Sequence, residues 1–396
     1  MRAPTRAVDP LVGVINAGSS SLKFAFYEGE RRIMLGQIAG LGTKPTAKAF
    51  GPDGEELTPP NLADRPATAS EALPAVLPWA KEALGGKRLD ALGHRVVQGG
   101  MQHIGHERVT PKLLAELESL IPLAPLHQPH NLAAIRATLA LNPRLPQVAC
   151  FDTAFHRSVP EVAQTFAIPR NLHDAGVRRY GFHGLSCEYI ASVLPKRAPE
   201  IADGRVIIAH LGNGASLSAL RGGTSIASTM GFSVLDGLPM GTRCGELDPG
   251  VLLYLIRCGG MSADALEDLL YRQSGVLALS EISSDFRDLL TSQDPRAQFA
   301  IDVFCYQAIR QIGSLTAALG GLDGIVFTAG VGENAAPIRA AICEGSRWLG
   351  LELDETANRR NVARISTNTS SVAAYVIASD ENEIIARHTR ALCKAS

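Results

Sequence analysis

The chain has 396 residues, enough for two domains of ordinary size, each with its own core. Hydrophobic residues make up 46% and charged ones 19%, which argues against disorder, and a net charge of −1 argues against nucleic acid or a membrane surface as main partner. Seven cysteines, an odd number with no Cys-x-x-Cys pair, argue against a disulfide framework or a zinc site and read as reduced thiols.

The first ten residues hold two Arg and two Pro without an apolar stretch, and no run of eighteen apolar residues occurs, so the reading is a soluble, cytoplasmic protein without a leader. Residues 14–26 then set a turn of Ala, Gly and Ser between two apolar strands. Leu22, Phe24 and Phe26 alternate with Lys23, Ala25 and Tyr27, the period of a half-buried strand. Gly and Ser let N–H groups and hydroxyls converge on an anion, and Lys23 adds a point charge. A Walker loop is absent, since no Gly-Lys-Ser/Thr run occurs; an ordinary Ser/Gly hairpin has the same pattern.

Residues 45–68, rich in Pro, Gly and charge, read as a long loop. Helical patterns over 71–84, 113–121 and 131–141 alternate with strands over 89–97 and 147–151, which is β/α order. A second small-residue turn between apolar strands comes at 206–220, which suggests a duplicated architecture. Amphipathic helices follow over 249–258, 262–272 and 297–319. A third glycine turn over 325–334 opens a helix over 335–348, and a last helix covers 383–393.

Two phosphate hairpins and a later strand-Gly-helix turn resemble the actin-like, sugar-kinase ATPase superfamily. Five further motifs narrow the resemblance: Gly93-His94-Arg95-Val96-Val97, Pro125-Leu126-His127, Phe151-Asp152-Thr153-Ala154-Phe155-His156, Arg179-Tyr180-Gly181-Phe182-His183-Gly184 and Gly237-Leu238-Pro239-Met240-Gly241-Thr242-Arg243. In this order they resemble the acetate kinase family over nearly the whole chain.

That resemblance implies an α/β fold of two duplicated actin-like (ribonuclease H-like) ATPase domains with a nucleotide cleft between them. Residues 1–152 plus 381–396 would form the first domain and 153–380 the second. The implied activity is reversible, in-line phosphoryl transfer from ATP to acetate, giving acetyl phosphate and ADP, with Mg2+ or Mn2+ and a homodimer. Its partners are small molecules. A propionate or butyrate kinase on the same fold is the alternative within the class, and a non-kinase actin-like ATPase the distant one.

Transfer to a carboxylate needs positive groups around the moving phosphoryl. Arg95, ending an apolar strand, and Arg243, in a Gly-rich loop, are the candidates, and the resemblance gives them the acceptor carboxylate and the transition state. Pairing of Arg243 with Glu246 or Asp248 is the plainer reading. His183 would hydrogen-bond the phosphoryl in flight, with His127 and His210 in support. Asp152 follows a strand end, where α/β enzymes display reactive groups, though it also suits a helix N-cap. Acetate is already ionised at neutral pH, so a base has no proton to remove, and Asp152 is expected to organise the metal and orient its neighbours.

By resemblance the metal falls to Asn16 and Glu381, with Glu383 as the slipped alternative. The nucleotide falls to Ser19, Ser21 and Lys23, to His210, Leu211, Gly212, Asn213 and Gly214, to Asp285, Phe286 and Arg287, and to Gly330, Val331, Gly332, Glu333 and Asn334. Val97, Leu126, Phe182 and Val234 would line the acyl pocket. Val234 stands where the family has Pro, Gln98 where it has His, and Leu185 and Cys187 where it has Thr and His.

Overall fold

The computed structural model describes residues 9–62 and 65–394. The reading of the first ten residues as carrying no leader therefore falls almost wholly outside the described residues. Contacts divide the chain into two units, one running through Ala154 and resuming at Asp380, the other Phe155–Ser379.

The first unit is built on an eight-stranded sheet of order β5-β4-β3-β2-β1-β6-β8-β7. Its strands are β1 (Leu11–Ala17), β2 (Ser21–Glu28), β3 (Arg31–Ala39), β4 (Thr46–Phe50), β5 (Glu56–Leu57), β6 (Ala91–Val96), β7 (Glu107–Arg108) and β8 (Gln147–Phe151). β1 to β5 pair antiparallel in succession, whereas β1, β6 and β8 run parallel. Residues 45–68 are thus not a plain loop: β4 and β5 lie within them and extend the sheet, an edge position that tolerates a polar sequence. β1 reads as an unbroken apolar run because both its faces are covered. One face packs Phe24, Phe26 and Ile15 against Leu73, Val76 and Ala80 of α1 (Ala69–Ala83) and Ala134 of α3 (Gln128–Leu141). Between these helices, α2 (Pro111–Ser119) packs Leu113 and Leu117 beside Phe151. The C-terminal helix Glu381–Lys394 lies on β1, β6 and β8.

The second unit repeats the plan. Its sheet has the order β11-β10-β9-β12-β13, from β9 (Arg205–Leu211), β10 (Ala215–Arg221), β11 (Thr224–Ser228), β12 (Gly324–Thr328) and β13 (Ala373–Val376). As with β3-β2-β1-β6-β8, three antiparallel strands adjoin two parallel ones, the duplication that the paired hairpins suggest. Helix α4 (Gly184–Arg197) covers one face through Cys187, Ile190 and Leu194, and the 25-residue α5 (Pro295–Leu319) packs along β10.

Residues 330–334 are not a turn. They belong to a one-turn helix, α6 (Ala329–Asn334), which ends at Ala335, and the expected helix then begins within one residue of its expected start as α7 (Ala336–Gly345). The reason is local. Ala329 takes a left-handed backbone, φ +66°, which turns the chain sharply from β12 into α6. No described helix is long and apolar enough to cross a membrane, and among the described residues no cysteine is joined in a disulfide.

Candidate active site

β1 and β6 run parallel, with Ile15 opposite His94, so Asn16 and Arg95 emerge together at their carboxyl ends. Arg95 spans both carboxylate oxygens of Asp152, with Nε 3.2 Å from Oδ1 and Nη2 on Oδ2. Its Nη1 donates to Asn16 Oδ1 at 3.5 Å, and its Nε lies 3.8 Å from Glu381 Oε2. Asn16 Nδ2 in turn donates to Glu381 Oε2 at 3.4 Å. Four of the expected residues thus form one cluster in the first unit.

The electrostatics of the cluster follow from burial. Burial pushes the Asp152 carboxyl up to about 6 against the pull of Arg95, and Glu381 adds to the rise. For Arg95 burial acts to lower the value, but Asp152 and Glu381 outweigh it and hold the guanidinium above its ordinary range. At neutral pH the pair is therefore ionised, and the bidentate geometry compensates part of its desolvation. The Asp152 carboxylate is engaged by Arg95, so the helix N-cap reading is corrected. Of the two glutamates, Glu381 joins the cluster, whereas Glu383 accepts from Arg387 one turn along the C-terminal helix.

Elsewhere in this unit Ser19 is exposed and Ser21 half-buried, and Lys23 is exposed directly opposite Asn16 on β2. Val97 is buried and Leu126 half-buried. His127 stands at the N-cap position of α3.

The second unit gathers the remaining groups around the β9–β10 turn. His183, itself left-handed at φ +57°, precedes α4. Its ring stacks on that of His210, centroids 4.1 Å apart and planes 17° from parallel. Each Nδ1 meets a serine at 2.8 Å, His183 on Ser216 Oγ and His210 on Ser186 Oγ. Neither serine stands out in the sequence, where a buried serine resembles any other small residue. Gly214 faces the pair: a methyl there would sit 3.2 Å from His183 Nε2 and 3.5 Å from Arg243 Nη1. A side chain at this position would crowd the His183 ring and touch the Arg243 guanidinium.

Arg243 Nη1 donates to the Val234 carbonyl at 3.3 Å. Of the two carboxylates in the plainer reading, Glu246 accepts from Gln311, and Asp248 caps the helix Pro249–Arg257 through the Gly250 N–H. Val234 and Phe182 are buried, and the Phe182 carbonyl meets His156 Nε2 at 2.8 Å.

A cavity of about 640 Å³ adjoins this turn. Gly212, Asn213, Asp285, Phe286, Arg287, Gly330, Val331 and Asn334 line it, three separate motifs meeting on one hollow, with Ser284, Leu290 and Ala335 added by the structure. Leu211 is buried in β9 and lies off the lining. Phe286 packs edge-on against Phe304 at 4.7 Å, and Asp285 caps the helix Phe286–Thr291 while pairing with the exposed Arg287. Gly332 and Glu333 do not line the cavity. Glu333 Oε1 instead turns back to accept the N–H of Ala329 at 2.8 Å, and the fully buried Arg339 donates to the carbonyls of Gly332 and Glu333, each at 2.9 Å. One carboxylate and one guanidinium thus hold the two ends of α6.

Comparison with known proteins bears on the whole chain. Residues 11–387 match the model of the acetokinase family. An acetate kinase of Rhodopseudomonas palustris is 52% identical over 384 residues, covering 95% of this chain and 96% of that protein. The crystal structure of Porphyromonas gingivalis acetate kinase matches with TM-score 0.84 at 34% identity, covering 97% of this chain and 99% of the other. A propionate kinase of Francisella tularensis matches with TM-score 0.89 at 32% identity over 97% of this chain and 100% of its own.

Proposed function

We propose that this chain, which belongs to the acetokinase family, is an ATP:acetate phosphotransferase that makes acetyl phosphate and ADP reversibly. The observation that carries the reading is the cluster of Arg95, Asp152, Asn16 and Glu381 at the carboxyl ends of β1, β6 and β8, within a chain half identical to an acetate kinase.

In this reading Arg95 and Arg243 neutralise the acceptor carboxylate and the charge spreading over the moving phosphoryl. Asp152 holds Arg95 in a fixed plane rather than acting as a base, because acetate arrives ionised. His183, steadied by Ser216, donates to the phosphoryl oxygens. The cavity beside the β9–β10 turn takes the nucleotide. Asn16 and Glu381 offer carbonyl and carboxylate oxygens, the donors a hard divalent cation prefers, and they fit magnesium. When bound, the ion supplies charge neutralisation on phosphate oxygens. A homodimer, a cytoplasmic setting and domains of 1–152 plus 381–396 and 153–380 belong to the same reading.

The acyl group is the open choice, since Val234 stands where the family has proline and a propionate kinase shares the fold. A hydroxamate assay of acyl phosphate from MgATP, comparing kcat/KM for acetate, propionate and butyrate, tests both points. A clear preference for acetate is expected. A preference for propionate would move the substrate, and no product with any acid would reject the kinase reading.

A further inference from the structure

Pairing between β1 and β6 ends at Ile15 and His94, whereas β6 stays paired with β8 through Val96 and Phe151. β1 therefore peels away just where Asn16 and Arg95 emerge. A side chain of α3 fills the gap between the parted strands. Asn131 Nδ2 donates to the Ala17 carbonyl at 2.8 Å, and Asn131 Oδ1 accepts the Val97 N–H at 3.1 Å. A carboxamide carries one planar donor and one acceptor side, so it stands in for the peptide group missing from the ladder. Gln128, one turn earlier, does the same for one residue: its Oε1 accepts the Gln98 N–H at 3.2 Å and its Nε2 donates to the Gln98 carbonyl at 3.0 Å. Both amides are buried, 2% and 0% exposed, where an unmet partner is costly.

We infer that Asn131 is a positioning residue for phosphoryl transfer, setting the separation of Asn16 from Arg95 by bridging the parted ends of β1 and β6. The inference rests on the kinase reading above. Asn131 bonds the residue after Asn16 and the residue two beyond Arg95, so it acts through both without belonging to the cluster. Gln128 holds Gln98, on the side of Val97 and the acyl pocket, and its Nε2 also reaches the Leu117 carbonyl at 3.4 Å, away from Asn16 and Arg95. The two amides should therefore separate kinetically.

The test compares wild type, Asn131→Leu, Asn131→Ser and Gln128→Met for kcat, for KM of acetate and of ATP, and for melting temperature. Asn131→Leu keeps the branched heavy-atom shape and loses both bonds; kcat should fall about 10–100-fold with KM for ATP within about twofold. Asn131→Ser is the smaller change should the leucine variant not fold, and it should lose less. Gln128→Met should raise KM for acetate more than it lowers kcat. In an Arg95→Ala background the effect of Asn131→Leu on residual turnover should shrink to about twofold, because the group being positioned is gone. A lowered melting temperature with unchanged kcat, or an equal loss with and without Arg95, would overturn the inference. Wild-type enzyme inactive on every acid would instead remove the kinase reading, so the two failures are distinct.

Discussion

His183 and His210 lie ring on ring, 4.1 Å apart, and each is held from behind by its own serine. The stack fixes the ring planes and the serines fix their rotation, with Nε2 of His183 on the side of Gly214. Ser216→Ala should free the His183 ring, lowering kcat about fivefold, the worth of one hydrogen bond of about 1 kcal/mol, with little change in KM for ATP. Steady-state kinetics check this. An unchanged kcat would mean that the stack alone orients the ring.

Asp152→Asn should act on stability and turnover together. Breaking a buried ion pair from one side costs about 3–5 kcal/mol, here less because Arg95 keeps the more distant Glu381 carboxylate 3.8 Å away. Thermal melting should show the loss, turnover should fall at least about 100-fold, and the magnesium dependence of activity should weaken. Intact magnesium dependence would separate Asp152 from the metal.

Val234 holds Arg243 through its backbone carbonyl, which any side chain retains. Val234→Ala should therefore leave the arginine in place and change only the room beside the acyl group. A methylene is worth about 1–3 kcal/mol of discrimination, so the propionate to acetate ratio of kcat/KM should rise about 10-fold or more. A loss of activity on both acids alike would count against Val234 as a pocket wall.

Gly330 lines the cavity proposed for the nucleotide, and a methyl built on it meets nothing within 4 Å. Gly330→Val should fold normally while its side chain fills space that the nucleotide needs. KM for ATP should rise about 10-fold and KM for acetate stay put. An unaltered KM for ATP would put the nucleotide elsewhere.

Burial pulls His94 and His156 down to about 4, one in each unit. The folded chain resists protonating them, whereas the unfolded chain takes up protons near the ordinary 6.5. Their contribution is complete above pH 6.5 and is lost as pH falls toward 4, about 2 kcal/mol per ring by pH 5. Urea midpoints between pH 7 and pH 5 should drop accordingly, and less so in His156→Gln. A flat profile would contradict neutral, buried rings.

The paired hairpins were legible in sequence because period-two alternation and small-residue turns are local signals. The Arg95–Asp152 pair was legible only as two separate motifs, since the residues stand 57 apart and only the parallel pairing of β6 with β8 brings their ends together. Helix α6 was misread because Ala-Gly-Val-Gly-Glu-Asn has the composition of a turn; the bonds that make it helical come from Glu333 and from Arg339 beyond it. Asn131 and Gln128 were missed for a related reason. An amide on a helix reads as a solvated face until its strand partners are known.

The clamping of α6 between Glu333 and Arg339 also bears on the thermodynamics of nucleotide capture. A wall already ordered before the ligand arrives has little rotational freedom left to lose. Association at this wall should then carry a heat-capacity change set by the apolar surface covered, without the larger decrement that accompanies a segment folding onto its ligand.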